Sequence, residues 1–521
     1  MTSILKTINK VTTPITEKAT PGQVLNSTGG YVFTTTALEQ VKRFLILGTE
    51  KGSFYADARS LTLGNTDNLL TAIKSDGTAV VELIVDVSVR GLAPKVDPVL
   101  FALAAASAVG DDATRSAAYA NLSKVARTAT HLFQFLGYRK QFATGEGRGL
   151  RTAVARWYTE KDVEKTAYQM VKYRSRAGYT HKDVLKIAHP KTAEPARRAL
   201  FDWTVNDTVS SDVPRVVEGF LKAQAGENAP ALVREYGLTW DMLPDAALTE
   251  TATWDALLDV GIPQAALIRQ LPRLTRLGVV KQLGGRTAEI VDQLVDPDRL
   301  RAARVHPLQV LLAMKTYASG QGQSSTWTPV PRLVDALDEA FYASFHAFTP
   351  AGKRTLVALD VSGSMGWNAG VAGLTACEVG AALSMVTLAT EPDSHVFGFA
   401  HTFRELGITP KTRLNEAMRL AHDNNFGATD ASLAIRYAGQ HNLDVDTFIV
   451  ITDNEVNRGI HPHQALREYR NTTGIPAKLV VMGVTATPFT IADPSDPLGQ
   501  LDVAGFSADV PSLVTEFSRG F

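Results

Sequence analysis

At 521 residues the chain is longer than one ordinary hydrophobic core supports and points to roughly two to four domains. Its 45% hydrophobic content is that of a globular protein, and 53 basic against 53 acidic residues give no net charge, so the total argues for neither nucleic acid nor membrane. A single cysteine, Cys377, excludes an intrachain disulfide framework and a multi-cysteine zinc site.

The N-terminal stretch MTSILKTINKVTTPITEKAT has no apolar core of signal-peptide length, and no run approaches the roughly 18 apolar residues of a membrane span, so a cytoplasmic location is expected. From residue 97 to about 350 apolar residues recur every three or four positions. DPVLFALAAASAVG, DDATRSAAYANLSKVARTATHLFQFLGY and WDALLDVGIPQAALIRQLPRLTRLGVV predict amphipathic helices broken by short Gly, Pro and Asp turns. Helices so closely joined pair antiparallel, and successive pairs stack into a solenoid, although no fixed-period repeat is visible.

Charge is unevenly spread along this helical part. Residues 138–200 hold 15 Lys/Arg against 6 Asp/Glu, whereas residues 353–521 hold 12 against 18, so the neutral total hides a basic segment and an acidic domain. The densest positive run is KYRSRAGYTHKDVLKIAHPK, residues 172–191, with Lys172, Arg174, Arg176, Lys182, Lys186 and Lys191 joined by His181 and His189 and interleaved with Tyr173 and Tyr179. Cations neutralise phosphates and aromatic rings stack on unpaired bases, so this composition suits single-stranded nucleic acid. A merely solvated helix face has the same composition. The preceding GEGRGL lacks the Walker lysine and the dinucleotide spacing, which argues against a nucleotide cradle.

A polar stretch with Pro and Gly, FTPAGKR at 348–354, marks a boundary between residues 1–350 and 351–521. Beyond it short apolar runs alternate with helical patterns: RTLVALD, SHVFGFA, DTFIVITD and AKLVVMGV as strands, with helices in GLTACEVGAALSMVTLAT, RLNEAMRLAHD and HQALREYR. This predicts an α/β doubly wound, mainly parallel sheet with its site at the carboxyl ends of the strands. Cys377 falls among the small residues of the first helix and reads as a core residue.

The first of these strands ends at Asp360 and is followed by Ser362 and Ser364. This i, i+2, i+4 spacing converges three oxygen side chains, which Thr429 in FGATDAS and Asp453 at the end of DTFIVITD can join from the same sheet edge. Hard oxygen ligands with few carboxylates suit Mg²⁺ or Mn²⁺. The pattern resembles the metal-ion-dependent adhesion site of von Willebrand factor A domains, which implies Ser362, Ser364 and Thr429 on or near the metal and Asp360 and Asp453 close by, in part through water. A second acid two residues after Asp360 would suit phosphoryl transfer, but Ser362 stands there, so the cluster reads as a binding site.

The chain as a whole resembles a bacterial member of the Ro ribonucleoprotein autoantigen family, in which a helical TROVE module precedes an A domain. The resemblance is carried in order by NSTGGYVF, VKRFLILGTEKGSFY, VRGLAPKVDPVLFALA, GEGRGLRTAVARWY, KYRSRAGYTHKDVLKIAHPK, QAALIRQLPRLTRLGV, VHPLQVLLAMKTYASGQG, TWTPVPRLVDALDEAFY, TLVALDVSGSM, GATDAS and FIVITDNE. It implies a monomeric ring of HEAT-like α-helical repeats closed by the A domain. It further implies small non-coding Y RNA bound outside the ring, single-stranded 3′ ends of misfolded RNA in a central hole, and association with polynucleotide phosphorylase. Lys172, Arg176 and His189 resemble the family's Y RNA contacts, with Arg174, His181 and Lys186 as neighbours. No catalysis is implied. Two readings from other classes stand beside this one: a metal-dependent nuclease at Asp360, and a protein-adhesion module, which leaves the basic segment unexplained. Ala428, where the family often has Gly, and Pro272, expected to shorten or kink its helix, depart from the pattern.

Overall fold

A computed structural model describes residues 12–47, 67–93, 95–345, 350–366, 373–422, 427–485, 487–505 and 510–520. The start of the N-terminal stretch, all of GTEKGSFY and the first part of the expected boundary at 348–354 lie outside the described residues. The chain is multidomain, with an α-helical array followed by an α/β unit.

The described part opens with a hairpin, β1 (Gln23–Leu25) and β2 (Tyr31–Thr34), and then helices follow one another to Ala343. Helix Asp97–Val109 departs from the amphipathic expectation: every residue from Pro98 to Ser107 is buried, because its alanines let helices Ala37–Leu47, Asp67–Arg90 and Ala129–Lys140 close in on it from different sides. Farther along, helices pack in pairs, Ala229–Tyr236 on Thr251–Val260 and Pro307–Ala318 on Pro331–Ala343. The long DDATRSAAYANLSKVARTATHLFQFLGY pattern resolves into three helices, Asp112–Ala120, Leu122–Val125 and Ala129–Lys140. Asp111 and Thr128 cap the first and last of these by accepting from the backbone N–H of Thr114 and His131. Pro272 does not shorten its helix, which runs from Gln264 to Arg276; the proline removes one backbone donor, and the buried leucines at 267, 271 and 274 hold the turn.

A second hairpin, β3 (Ser175–Arg176) and β4 (Tyr179–Thr180), stands within the helical array. After residue 350 the sheet of the α/β unit is built from β5 (Thr355–Asp360), β6 (Ser394–Phe399), β7 (Phe403–Glu405), β8 (Thr447–Thr452) and β9 (Lys478–Gly483), followed by β10 (Phe489–Thr490) and β11 (Gln500–Ala504). Its order is β11-β9-β8-β5-β6-β7, parallel throughout except for β7. Strands β5 and β8 are buried at every residue, as strands covered by helices on both faces must be. Helix Ala376–Thr390 lies on β5 with Gly380 at the contact, where a Cβ would come within 2.4 Å of Leu359 Cδ1. Cys377 is buried, its Sγ 3.0 Å from the carbonyl of Ala421.

Both ends of the helical array touch the α/β unit. At one end Lys315 pairs with Glu378 at 2.6 Å and Arg413 with Asp335 at 3.0 Å. At the other end β2 pairs antiparallel with β10, making a three-stranded sheet across the two parts of the chain. The α/β unit thereby closes the array into a ring. No helix among the described residues is long and apolar enough to cross a membrane.

Gly380→Ala is expected to destabilise the protein by about 1–3 kcal/mol, the usual penalty for overpacking a filled core, read as a lower midpoint in chemical denaturation.

Candidate nucleic-acid interface and candidate metal centre

The basic segment is a small, braced device. Its two-residue hairpin turn has Ala177 at φ 52° and Gly178 at φ 78°, the doubly left-handed turn that matches the twist of paired strands. Ala177 rests on Gly137 of helix Ala129–Lys140, where a Cβ would lie 3.0 Å from that of Ala177. Helix His181–Ala188 then starts with a reciprocal cap between Thr180 and Asp183 and ends at His189, which takes φ 46° and ψ 53° where glycine is usual. A non-glycine residue in this conformation carries strain, and here it leaves the imidazole exposed at the end of the helix.

Arg174, Arg176, Lys186 and His189 are exposed, so the structure presents four of the six expected groups on one hairpin and its following helix. Lys172 is different: its side chain is only 9% exposed, with Nζ 3.6 Å from Asp241 Oδ2 and 3.2 Å from the Tyr168 hydroxyl. Burial works against its charge, but Tyr168, Tyr173 and Asp241 outweigh that and hold its pKa above the ordinary lysine value. His181 is buried. Its Nδ1 lies 2.8 Å from the Tyr158 hydroxyl and its Nε2 3.0 Å from the Tyr173 carbonyl, and burial pushes its pKa down to about 3. It is a neutral brace beneath the hairpin and offers no charge to a ligand. Behind it Arg197 donates to the carbonyls of Tyr158 at 2.6 Å and Lys161 at 2.8 Å, locking the helix that carries Tyr158. Tyr179 is also buried, beneath Lys140 Nζ at 4.7 Å, so its ring is not available for stacking. Lys140 is exposed on this face; it falls within the basic segment 138–200 but outside the run 172–191 that supplies the candidate residues.

At the carboxyl edge of the α/β sheet, Asp360 is fully buried. Its Oδ1 accepts from the Ser362 N–H at 2.9 Å and its Oδ2 from the Thr452 hydroxyl at 2.7 Å. Ser362 Oγ and Ser364 Oγ are 3.1 Å apart, and Ser364 also hydrogen-bonds Asp453, itself 3% exposed. Thr429 reaches the same edge indirectly: its N–H donates to Asn457 Oδ1 at 2.9 Å, and its carbonyl accepts from the N–H groups of Asn457 and Arg458, each at 3.1 Å. Ala428 is not among the residues with positive φ, so a side chain is tolerated there. Burial, then the charge of Asp453, pushes the Asp360 carboxyl upward; burial does the same to Asp453. Two buried carboxyls raised in this way, with hydroxyls beside them, are a donor set that a hard divalent cation would satisfy. Among the described residues no group of three or more His, Cys, Asp or Glu gathers to hold a metal.

The family model for the TROVE domain matches residues 24–212 and 234–325, and that for the Ro60 vWA domain matches residues 354–518. The chain belongs to the Ro60 family. It is 42% identical to a Deinococcus radiodurans protein named RNA-binding protein RO60, over 100% of both chains, and 32% identical to one of the same name from Caenorhabditis elegans, covering 97% of this chain and 91% of the relative. The crystal structure of the Deinococcus radiodurans RO (RSR) protein superposes with a TM-score of 0.70 at 42% identity, over 93% of this chain and 100% of that one. Two family domains in this order account for both sites: the basic hairpin lies in the TROVE match and the oxygen cluster in the A-domain match.

His181 supplies a pH test of the brace. Its folded pKa of about 3 lies below the unfolded 6.5, so the unfolded chain binds the extra proton between those values. Its contribution is complete above pH 6.5 and declines as pH falls toward 3, by about 1.4 kcal/mol per pH unit. Urea unfolding of His181→Gln should show a shallower loss of stability between pH 6 and 4 than the parent, by about that slope.

Proposed function

We propose that this protein is a non-catalytic RNA-binding scaffold of the cytoplasm that holds a small structured Y RNA on its basic hairpin. The observation that carries this reading is the set of exposed cations Arg174, Arg176, Lys186 and His189 on a strained, braced hairpin and helix in a chain with no net charge. Cations there would neutralise phosphates and set the RNA's register, with His189 held in place by the backbone. Lys172, anchored by Asp241, would meet a phosphate only where the RNA enters the Tyr168 and Tyr173 nest. The naming of relatives as RNA-binding proteins supports the RNA class.

The finer parts of the reading follow from family membership. Residues 1–350 would form the RNA-binding ring and residues 351–521 the A domain; single-stranded 3′ ends of misfolded RNA would enter the ring's centre; and the bound Y RNA would tether a 3′-to-5′ exoribonuclease such as polynucleotide phosphorylase to the monomer for RNA quality control. The A domain would hold Mg²⁺ or Mn²⁺ on Ser362, Ser364 and Thr429, with Asp360 and Asp453 supplying charge, and keep a position open for an acidic group of a partner.

Arg174→Glu with Arg176→Glu should weaken Y RNA binding by more than ten-fold and lower the dependence of log affinity on log salt by about two contacts' worth, measured by filter binding at several salt concentrations. Affinity and salt slope equal to the parent's would contradict the assignment. Ser362→Ala with Ser364→Ala should weaken Mn²⁺ binding in calorimetry while leaving RNA affinity within about two-fold, since no base or phosphate contact is removed.

A further inference from the structure

One loop, residues 453–458, has the metal cluster on one side and the N-terminal hairpin on the other. Asp453 begins it and Asn457 holds Thr429, so two of the five cluster residues depend on its shape. Across its other side lies the turn of β1–β2. Asn26 Nδ2 donates to the carbonyl of Val456 at 2.7 Å and to that of Asn454 at 3.3 Å. Gly30 lies so close that a Cβ would be 1.9 Å from the Val456 oxygen, and the Ser27 hydroxyl donates to Glu455 Oε1. Asn454, between the two acids, is fully buried at φ 65°, a conformation kept only where surrounding contacts enforce it.

Glu455 is where the two sides meet. It is 9% exposed, its N–H donates to Asp453 Oδ1 at 2.9 Å, and its Oε2 is buried with no hydrogen-bond partner among the described residues. Docking the hairpin therefore encloses the Glu455 carboxylate two residues from buried Asp453 with one oxygen held by Ser27 and the other unpartnered, which is costly while no cation offsets the charge gathered there. A divalent cation on Asp453 would offset it.

We propose that cation binding at the Asp360–Asp453 cluster and docking of the N-terminal hairpin are positively coupled through the 453–458 loop, with Glu455 as the residue on which both act. This rests on the metal reading of that cluster. Because the hairpin is one of the contacts that close the ring on that side, beside the Arg43 joint to Thr487, Phe489 and Asp502, the cation strengthens ring closure, and by linkage closure must raise cation affinity by the same factor.

The test uses the full chain and Mn²⁺ alone. Calorimetry measures Mn²⁺ affinity and amide exchange measures opening of residues 23–34, for the parent, Asn26→Ala, Gly30→Ala and Glu455→Gln. Mn²⁺ should slow exchange of the hairpin in the parent by about five-fold or more, the lower range of measured couplings. Asn26→Ala, which removes the clasp without adding an atom, and Gly30→Ala, which forces it off, should each bind Mn²⁺ more weakly by a similar factor. Glu455→Gln should keep the hairpin protected with or without Mn²⁺. Equal Mn²⁺ affinity in the parent and in an Asn26→Ala variant whose hairpin exchanges faster would overturn the coupling while leaving the metal site standing. Absence of Mn²⁺ binding to the parent would overturn the metal reading and the coupling with it.

Discussion

The guanidinium of Arg43 is the joint on which the closed architecture depends. It is 2% exposed, and it donates to the carbonyls of Thr487 at 2.7 Å and Phe489 at 3.1 Å while pairing with Asp502 at 2.5 Å, 459 residues away. The two terminal nitrogens of this buried cation find their partners on β10, β11 and the segment before β10, so the first helix of the array is tied to that part of the A domain. That seating holds β2 against β10 and brings Asn26 and Ser27 onto the 453–458 loop. Removing one partner of such a pair typically costs about 3–5 kcal/mol, more than any single surface ion pair at the opposite junction supplies.

The basic hairpin takes its rigidity from the array beneath it. The hairpin at 175–180 is too short to be stable in water by itself, and the array supplies what it lacks: Gly137 beneath its turn, the Tyr158–His181 pair beneath its strands, and Arg197 behind them. The exposed cations thus sit on a fixed frame, on which electrostatic attraction, long-ranged and indifferent to sequence, would become a defined register for the proposed RNA. The A domain is built on the opposite electrostatic logic. Its surplus of acids includes a buried carboxyl pair at the sheet edge, the donor set on which the proposed cation would sit.

Much of this was legible in the sequence because it has a period or a spacing. The four core strands β5, β6, β8 and β9 fall where RTLVALD, SHVFGFA, DTFIVITD and AKLVVMGV predict them, since strands buried on both faces are short continuous apolar runs. The Asp-x-Ser-x-Ser spacing reads directly as oxygens at a strand end. What the sequence hides are contacts between residues hundreds of positions apart. Strands β1, β2 and β10 are only two to four residues long and exist because they pair with each other across the chain. Composition marked His181 and Lys172 as cations of the RNA face, yet a neutral buried imidazole and an exposed one look alike in a sequence, and only packing distinguishes them. Lys140 was missed for the complementary reason: its helix is not adjacent to the basic run in sequence, only in space.

The most direct measurement is ultraviolet crosslinking of the protein to its RNA in the cells that make it, followed by mass spectrometry of the peptides that carry nucleotide. Crosslinks concentrated in residues 172–191, with Lys140 as an outlying partner, are the predicted result. Crosslinks confined to the A domain, with none on the hairpin or the helix that ends at His189, would contradict the account.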